Sequence, residues 1–342
     1  MSAIVFGSIN MDLVAIASRL PIAKETLLGD DFLQIPGGKG ANQAVALARL
    51  GISTYIVGRV GADNFGIEII KNLQASGVQT ENIVIDQTTN SGVALINVDY
   101  QGENQIVVVG GANSQINQDD VDKLTYLLPS ATALLLQLEI PIASVVAAAK
   151  TAQDANVKVI LDPAPAQSLP DELYRLVDII TPNEVEAGQL VGFPVDGEET
   201  SVTAAEILLQ RGVKCAIIKR GSQGVFCANS EESFFIPAFC VQAIDAVAAG
   251  DAFNGGLTAA LVEGLSLHQA VIWGTAAGAL SVTKRGGQTS LPDRNTFDAF
   301  LQKNSINISQ ATETEKVLCP HCQRTATNGI KCKGICVSDN DY

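Results

Sequence analysis

Short apolar runs rich in valine and isoleucine recur along the chain, and between them the apolar residues fall into helical spacing. The runs "AIVFGSI" (3–9) and "TYIVGRV" (54–60) read as strands, with "ANQAVALARLG" (41–51) as the helix between them. Further strands are expected at 133–139, 158–163, 178–182 and 214–220, and helices at 142–155, 183–191, 202–211, 251–263 and 268–284. Strands that are apolar on both faces need cover on both sides. The pattern therefore predicts a three-layer α/β/α domain built on a mostly parallel sheet. Residues 12–36 and 91–110 break the alternation, because they read as strands and hairpins with no helix between. They suit a small β-sheet lid beside the main sheet, able to cover a ligand or to pair with a second subunit.

With 47% apolar and 17% charged residues in 342, the chain has ample core for one large α/β domain, expected over residues 1–304. The net charge of −14 argues against an extended basic face for nucleic acid, but not against a small anionic ligand. The opening "MSAIVFGSIN" lacks the basic start and long apolar run of a signal peptide. The most apolar stretch, 131–149, is broken by Gln137, Glu139 and Pro141, so no membrane span is expected. A cytoplasmic location follows as the expectation. Cys215, Cys227 and Cys240 stand singly in apolar contexts and read as buried thiols. Only two histidines exist, so a histidine-based triad in the body would rest on His268 alone.

Ligands of open α/β sheets gather at the carboxyl ends of the strands, and the polar clusters of this sequence fall there. "GSINMD" brings Asn10 and Asp12, two apart and so on one side of a strand. "IPGGKGANQA" brings Gly38, Lys39 and Asn42 to a helix start, and Gly40 after Lys39 breaks the spacing of a Walker phosphate loop. "LQLEIP" ends on Glu139, and "TPNEVE" sets Asn183 and Glu186 at a strand-to-helix junction. "KRGSQG" (219–224) is a hairpin signal, and "VAAGDAFNGG" (247–256) puts Asp251 ahead of a small-residue helix. Taken singly, each has a plainer reading: Asp251 as a helix N-cap, "GGKG" as a turn, Glu139 as a surface acid.

Together they resemble the ribokinase branch of the pfkB carbohydrate kinase family. "GSINMD", "PGGKGANQA", "LLLQLEIP", "DPAPA", "DIITPNEVEA", "GSQGV", "VQAIDAVAAGDAFNGGL" and "KRGGQTSLP" occur in family order between about residues 3 and 302. The resemblance implies phosphoryl transfer from ATP to the 5-hydroxyl of ribose. It makes Asp251 the base and the amides of Ala248, Ala249 and Gly250 an anion hole, with Asn10, Asp12, Gly38, Lys39, Asn42 and Glu139 holding the sugar. The positive end of the following helix is expected to keep Asp251 ionised at neutral pH. Asn183 and Glu186 would organise magnesium and phosphate through water. Lys219, Arg220, Gly221, Ser222, Gly224, Gly250 and Thr275 would line the nucleotide. Asp245, Val247, Ser281, Lys284, Gly286 and Ser290 match the family's potassium site, and a homodimer is implied.

Two positions depart from that pattern: Lys219 stands where threonine is usual, and Thr275 where asparagine or histidine is usual. The end of the chain lies outside the resemblance. Residues 305–318 read as a polar linker, and 319–342 as a cysteine-rich tail. Cys319, Cys322, Cys332 and Cys336 can supply four thiolates to one zinc, with His321 able to replace one of them. Redox chemistry and no defined role are the other readings of the tail, and contact with another protein is its expected use. The competing readings of the whole are a kinase for deoxyribose or another small sugar or nucleoside, and a sugar-binding regulator without catalysis.

Overall fold

The computed structural model describes residues 1–304. Among the described residues thirteen strands form in chain order. The first seven are β1 (Ser2–Phe6), β2 (Asn10–Ala17), β3 (Asp31–Gly37), β4 (Ser53–Gly61), β5 (Ile83–Asp86), β6 (Gly92–Asp99) and β7 (Asn104–Val109). The rest are β8 (Ala131–Leu136), β9 (Lys158–Leu161), β10 (Ile179–Ile180), β11 (Cys215–Lys219), β12 (Val225–Asn229) and β13 (Ser233–Ile236). Nine of them make one sheet in the order β13-β12-β11-β10-β9-β8-β1-β4-β5. All pairings from β11 to β5 are parallel, and only the β11–β12–β13 edge is antiparallel.

The central strands are buried on both faces, which is why they read as continuous apolar runs. On one face Ile4, Phe6, Leu134, Leu136, Val159 and Ala216 join a core with Val145, Ala148 and Ala152 of the Ile142–Asp154 helix and Ala204 and Leu208 of the Glu198–Gln210 helix. The Lys39–Arg49 and Ala249–Val262 helices touch β1, and the Leu267–Ser281 helix packs on the latter. The chain leaves β1 toward β4 and β5, then returns to build β8 to β13 on the other side. That reversal opens a crevice at the carboxyl ends of β1 and β8.

The remaining strands form a second sheet in the order β3-β2-β6-β7, with β2–β6 parallel and the other two pairs antiparallel. Its outer strand β7 is exposed at every residue, and Phe32, Leu95, Ile106, Val107 and Val109 face solvent. Several elements went unread in the sequence: β5, the hairpin partners β12 and β13, and the helices Asn64–Ala75, Gln118–Asp122, Asp171–Leu176 and Arg294–Lys303. Cys215 and Cys227 are buried thiols, but Cys240 is exposed, contrary to expectation, because it lies in the irregular segment after β13. The described chain divides into a compact unit, Met1–Phe300, and a second that begins at Leu301. Among the described residues no helix is long and apolar enough to cross a membrane.

Candidate active site

Asp251 lies in the first turn of the Ala249–Val262 helix and is only 5% exposed. It is not the cap. Ala248 holds that position in the left-handed region at φ 60°, and no side chain caps the helix. A left-handed alanine costs about 1–2 kcal/mol, a strain of the kind that collects at functional sites. Of the three amides expected to form an anion hole, that of Ala249 donates to Ala246 O at 3.2 Å, closing a turn. Those of Ala248 and Gly250 have no hydrogen-bond partner among the described residues.

Both oxygens of Asp251 accept side-chain hydrogen bonds, from Asn42 Nδ2 at 2.9 Å and Gln43 Nε2 at 3.1 Å. Gln43 is fully buried, and its Nε2 also donates to Asp162 Oδ2 at 3.0 Å. Two carboxylates can only accept, so the amide nitrogen must face them; Gln137 fixes this orientation by donating to Gln43 Oε1 at 2.7 Å. Asp162 also takes the ammonium of Lys219 at 3.0 Å. Burial pushes the Asp251 carboxyl up to about 6, against Lys39, Asn42 and Gln43, which lower it, and with Asp162, which raises it. The carboxyl is thus raised, with burial as the largest cause. At neutral pH it is still mostly charged, and it is a stronger base than an ordinary carboxylate.

The sugar-side candidates converge on the same crevice. Gly38 has φ 88°, and Gly40 lies so close to the β1–β2 turn that a Cβ would sit 2.7 Å from the backbone of Gly7 and Ser8. Glu139 is held by Ser8 Oγ at 2.5 Å and by the Lys39 amide at 3.2 Å. Asn10 accepts from Asn113 Nδ2 at 2.7 Å, which leaves its own Nδ2 to donate elsewhere. Asn42 Oδ1 is buried without a partner, an acceptor that a ligand hydroxyl would satisfy. Burial, then Glu139 and Asp251, push Asp12 up to about 7, so at neutral pH it can donate as well as accept. Burial works against the charge of Lys39, but Asp251, Asp162, Glu139 and Glu186 outweigh it and hold the ammonium above its ordinary value. A groove lined by Val108, Gly110, Leu138, Glu139 and Gln167 opens beside this cluster.

On the other side, Asn183 and Glu186 form a reciprocal capping box, each accepting the other's amide at 2.8 Å. Glu186 is raised by burial and by Asp162, against Lys219. Arg220 is buried, 3.8 Å from Glu184 and stacked over Phe235, while Gly221 and Ser222 form the exposed turn that Gly224 closes. Thr275 donates its hydroxyl to Val271 O at 2.8 Å, and no hydrogen bond joins it to that turn. Asp245 Oδ1 accepts from Val247 N and Oδ2 from Gly286 N, at 3.0 and 2.9 Å, tying its loop to the segment of Ser281, Lys284 and Ser290. Those three close local turns: Lys284 N donates to Ser281 O, and Ser290 to Gly287 O. His268 stacks on Phe234 and bonds to no serine or aspartate among the described residues, which removes the triad reading. Cys319, Cys322, Cys332 and Cys336 lie outside the described residues.

A family model for pfkB family carbohydrate kinases matches residues 2–294. The chain belongs to that family. A second model, described as a domain of unknown function, matches residues 295–342. Among relatives of this pfkB family member, the ribokinase of Haemophilus influenzae is 43% identical over 298 residues, which are 87% of this chain and 97% of that one. The deoxyribokinase of Salmonella typhi is 34% identical over 305 residues, 89% of this chain and 100% of its own. The structure of Arabidopsis thaliana ribokinase complexed with ribose and ATP matches with a TM-score of 0.82 at 33% identity, covering 88% of this chain and 98% of that one. A sugar kinase is the activity these relationships support.

Proposed function

We propose that the protein is an ATP-dependent ribokinase in which Asp251 takes the proton of the ribose 5-hydroxyl. The observation that carries this reading is a buried carboxylate with both oxygens anchored, beside the open amides of Ala248 and Gly250. Asn10, Asp12, Gly38, Lys39, Asn42 and Glu139 hold the sugar, with the orphaned Asn42 oxygen and the free amide of Asn10 meeting its hydroxyls. The O5–P bond forms as the bond from phosphorus to the β–γ bridging oxygen breaks, the electron pair leaves on ADP, and the sugar proton goes to Asp251. Phosphoryl transfer depends on alignment and charge neutralisation, which anchored side chains and open amides supply.

Among the described residues no group of three or more His, Cys, Asp or Glu is arranged to hold a metal by itself. The oxygen donors of Glu186 and Asp162 suit magnesium shared with water and phosphate, and magnesium when bound neutralises charge on the phosphates. Asn183 fixes Glu186 for that role. Asp245, joined to Val247 and Gly286, supports a potassium site with Ser281, Lys284 and Ser290 that would stiffen the anion-hole loop. Arg220, Gly221, Ser222, Gly224 and Thr275 lie on the nucleotide side. The exposed apolar residues of the small sheet support its use as lid and homodimer face, in a cytoplasmic enzyme.

Similarity to a deoxyribokinase favours one second reading, the same chemistry on deoxyribose. Coupled ADP release with ribose, deoxyribose and other small sugars, in magnesium and potassium, decides between them. The highest kcat/KM is expected for ribose, and a ratio favouring deoxyribose overturns the ribose assignment.

A further inference from the structure

Lys219 ends β11 at the carboxyl edge of the sheet, and its backbone amide donates to Pro182 O at 2.8 Å beside the Asn183–Glu186 capping box. Its ammonium bonds Asp162 at 3.0 Å and lies 3.3 Å from where a Cβ on Gly250 would stand. One of its three N–H groups is used, and no second acceptor reaches it among the described residues. The side chain is 13% exposed, so little solvent satisfies the others.

Carboxylates hold the lysine here, yet two of its N–H groups stay unmatched among the described residues while it faces the start of the Ala249–Val262 helix. That helix end carries positive potential and two open amides, so a cation beside it meets a local cost that an incoming anion would remove. Asp162 offsets part of that cost, but Asp162 is shared with Gln43. Around the crevice five carboxylates (Asp12, Glu139, Asp162, Glu186 and Asp251) meet two ammoniums, Lys39 and Lys219. A polyphosphate entering such a site needs every positive group aimed at it. Lys39 approaches from the sugar side, and Lys219 from the side of the open amides.

We propose that Lys219 is a catalytic cation of this enzyme, its ammonium binding the γ-phosphoryl group of ATP and staying on it as it moves to the sugar hydroxyl. The assignment rests on the kinase reading above. Asp162 positions the ammonium, and Gln43 ties Asp162 to the base, so the cation and Asp251 share one rigid support.

Titration calorimetry with ATP and with ADP, both with magnesium, on wild type, Lys219→Met, Lys219→Thr and Lys219→Arg tests this. The two neutral variants are expected to lose about 10- to 100-fold in ATP affinity, the size of one charge-assisted hydrogen bond. ADP affinity is expected to fall less than about threefold, since a charge remote from it acts through solvent. Turnover falls with ATP affinity while the KM for ribose stays, and Lys219→Arg restores most of the loss. Unchanged ribose binding in each variant shows that it is folded. Equal losses for ATP and ADP, or none, overturn the proposal and leave Lys219 as the counter-ion of Asp162. A wild type that releases no ADP with any sugar overturns the kinase reading and this assignment with it, whereas an active wild type with an unchanged ATP-to-ADP ratio overturns the assignment alone.

Discussion

Gln43 ties Asp251, the proposed base, to its neighbour Asp162. One amide nitrogen serves two carboxylates that otherwise repel each other across the crevice. Replacing it with leucine keeps the volume and removes the donor, so Asp251 becomes harder to ionise. In wild type the active form is ionised, so log kcat should fall with a single-proton slope below about pH 6. In Gln43→Leu that limb should move to higher pH; a limb that stays in place would contradict the role given to Gln43. Gln43, Gln137, Asp162, Ser8 and Asn113 were not legible as site residues. In one dimension they read as filler within a helix, within strands or in a turn, and only the fold turns them onto the crevice. Asn10, Asp12, Lys39, Asn42 and Glu139 stood out because each is a polar residue at or near a junction of predicted elements, and the family resemblance then suggested their role.

Among the elements, the join between β1 and the Lys39–Arg49 helix carries the sugar side. Gly40 lets that helix start against the backbone of Gly7 and Ser8, where its amide meets Ser8 Oγ at 3.3 Å. Alanine is the better helix former by about 1 kcal/mol, but here its Cβ meets backbone that cannot rotate away. Gly40→Ala should therefore destabilise the fold by about 1–3 kcal/mol, read from urea unfolding, and raise the KM for ribose through Ser8 and Glu139. A variant as stable as wild type would show that the turn has room to spare. The central strands were readable even when short, because burial on both faces leaves an unbroken apolar signature. β5, β12 and β13 were not, since they lie at the margins of the sheet, where β5 and β13 are only partly buried and carry no such run. The Asn64–Ala75 and Arg294–Lys303 helices were not read either. The "N-x-x-E" segment was legible as a site element, whereas its second role as a capping box emerged from the geometry.

Across the whole molecule, one rule locates the chemistry. The strand order reverses at β1, and the carboxyl ends of β1, β8, β9, β10 and β11 deliver Asn10, Glu139, Asp162, Asn183 and Lys219 to one crevice. The small sheet stands apart in the strand order and exposes every residue of its outer strand β7. The class of fold was readable from the alternation of strands and helices, but the antiparallel edge of the main sheet was not. What unites these features is a single claim, that Asp251 is the base that opens the sugar hydroxyl to phosphate. Ribose-dependent ADP release, measured on wild type and Asp251→Asn together with ribose binding to each, tests it most directly. Turnover is expected to fall by about 100-fold or more in Asp251→Asn, with ribose affinity within a few-fold of wild type; comparable turnover in the two proteins would contradict the role of Asp251 as base.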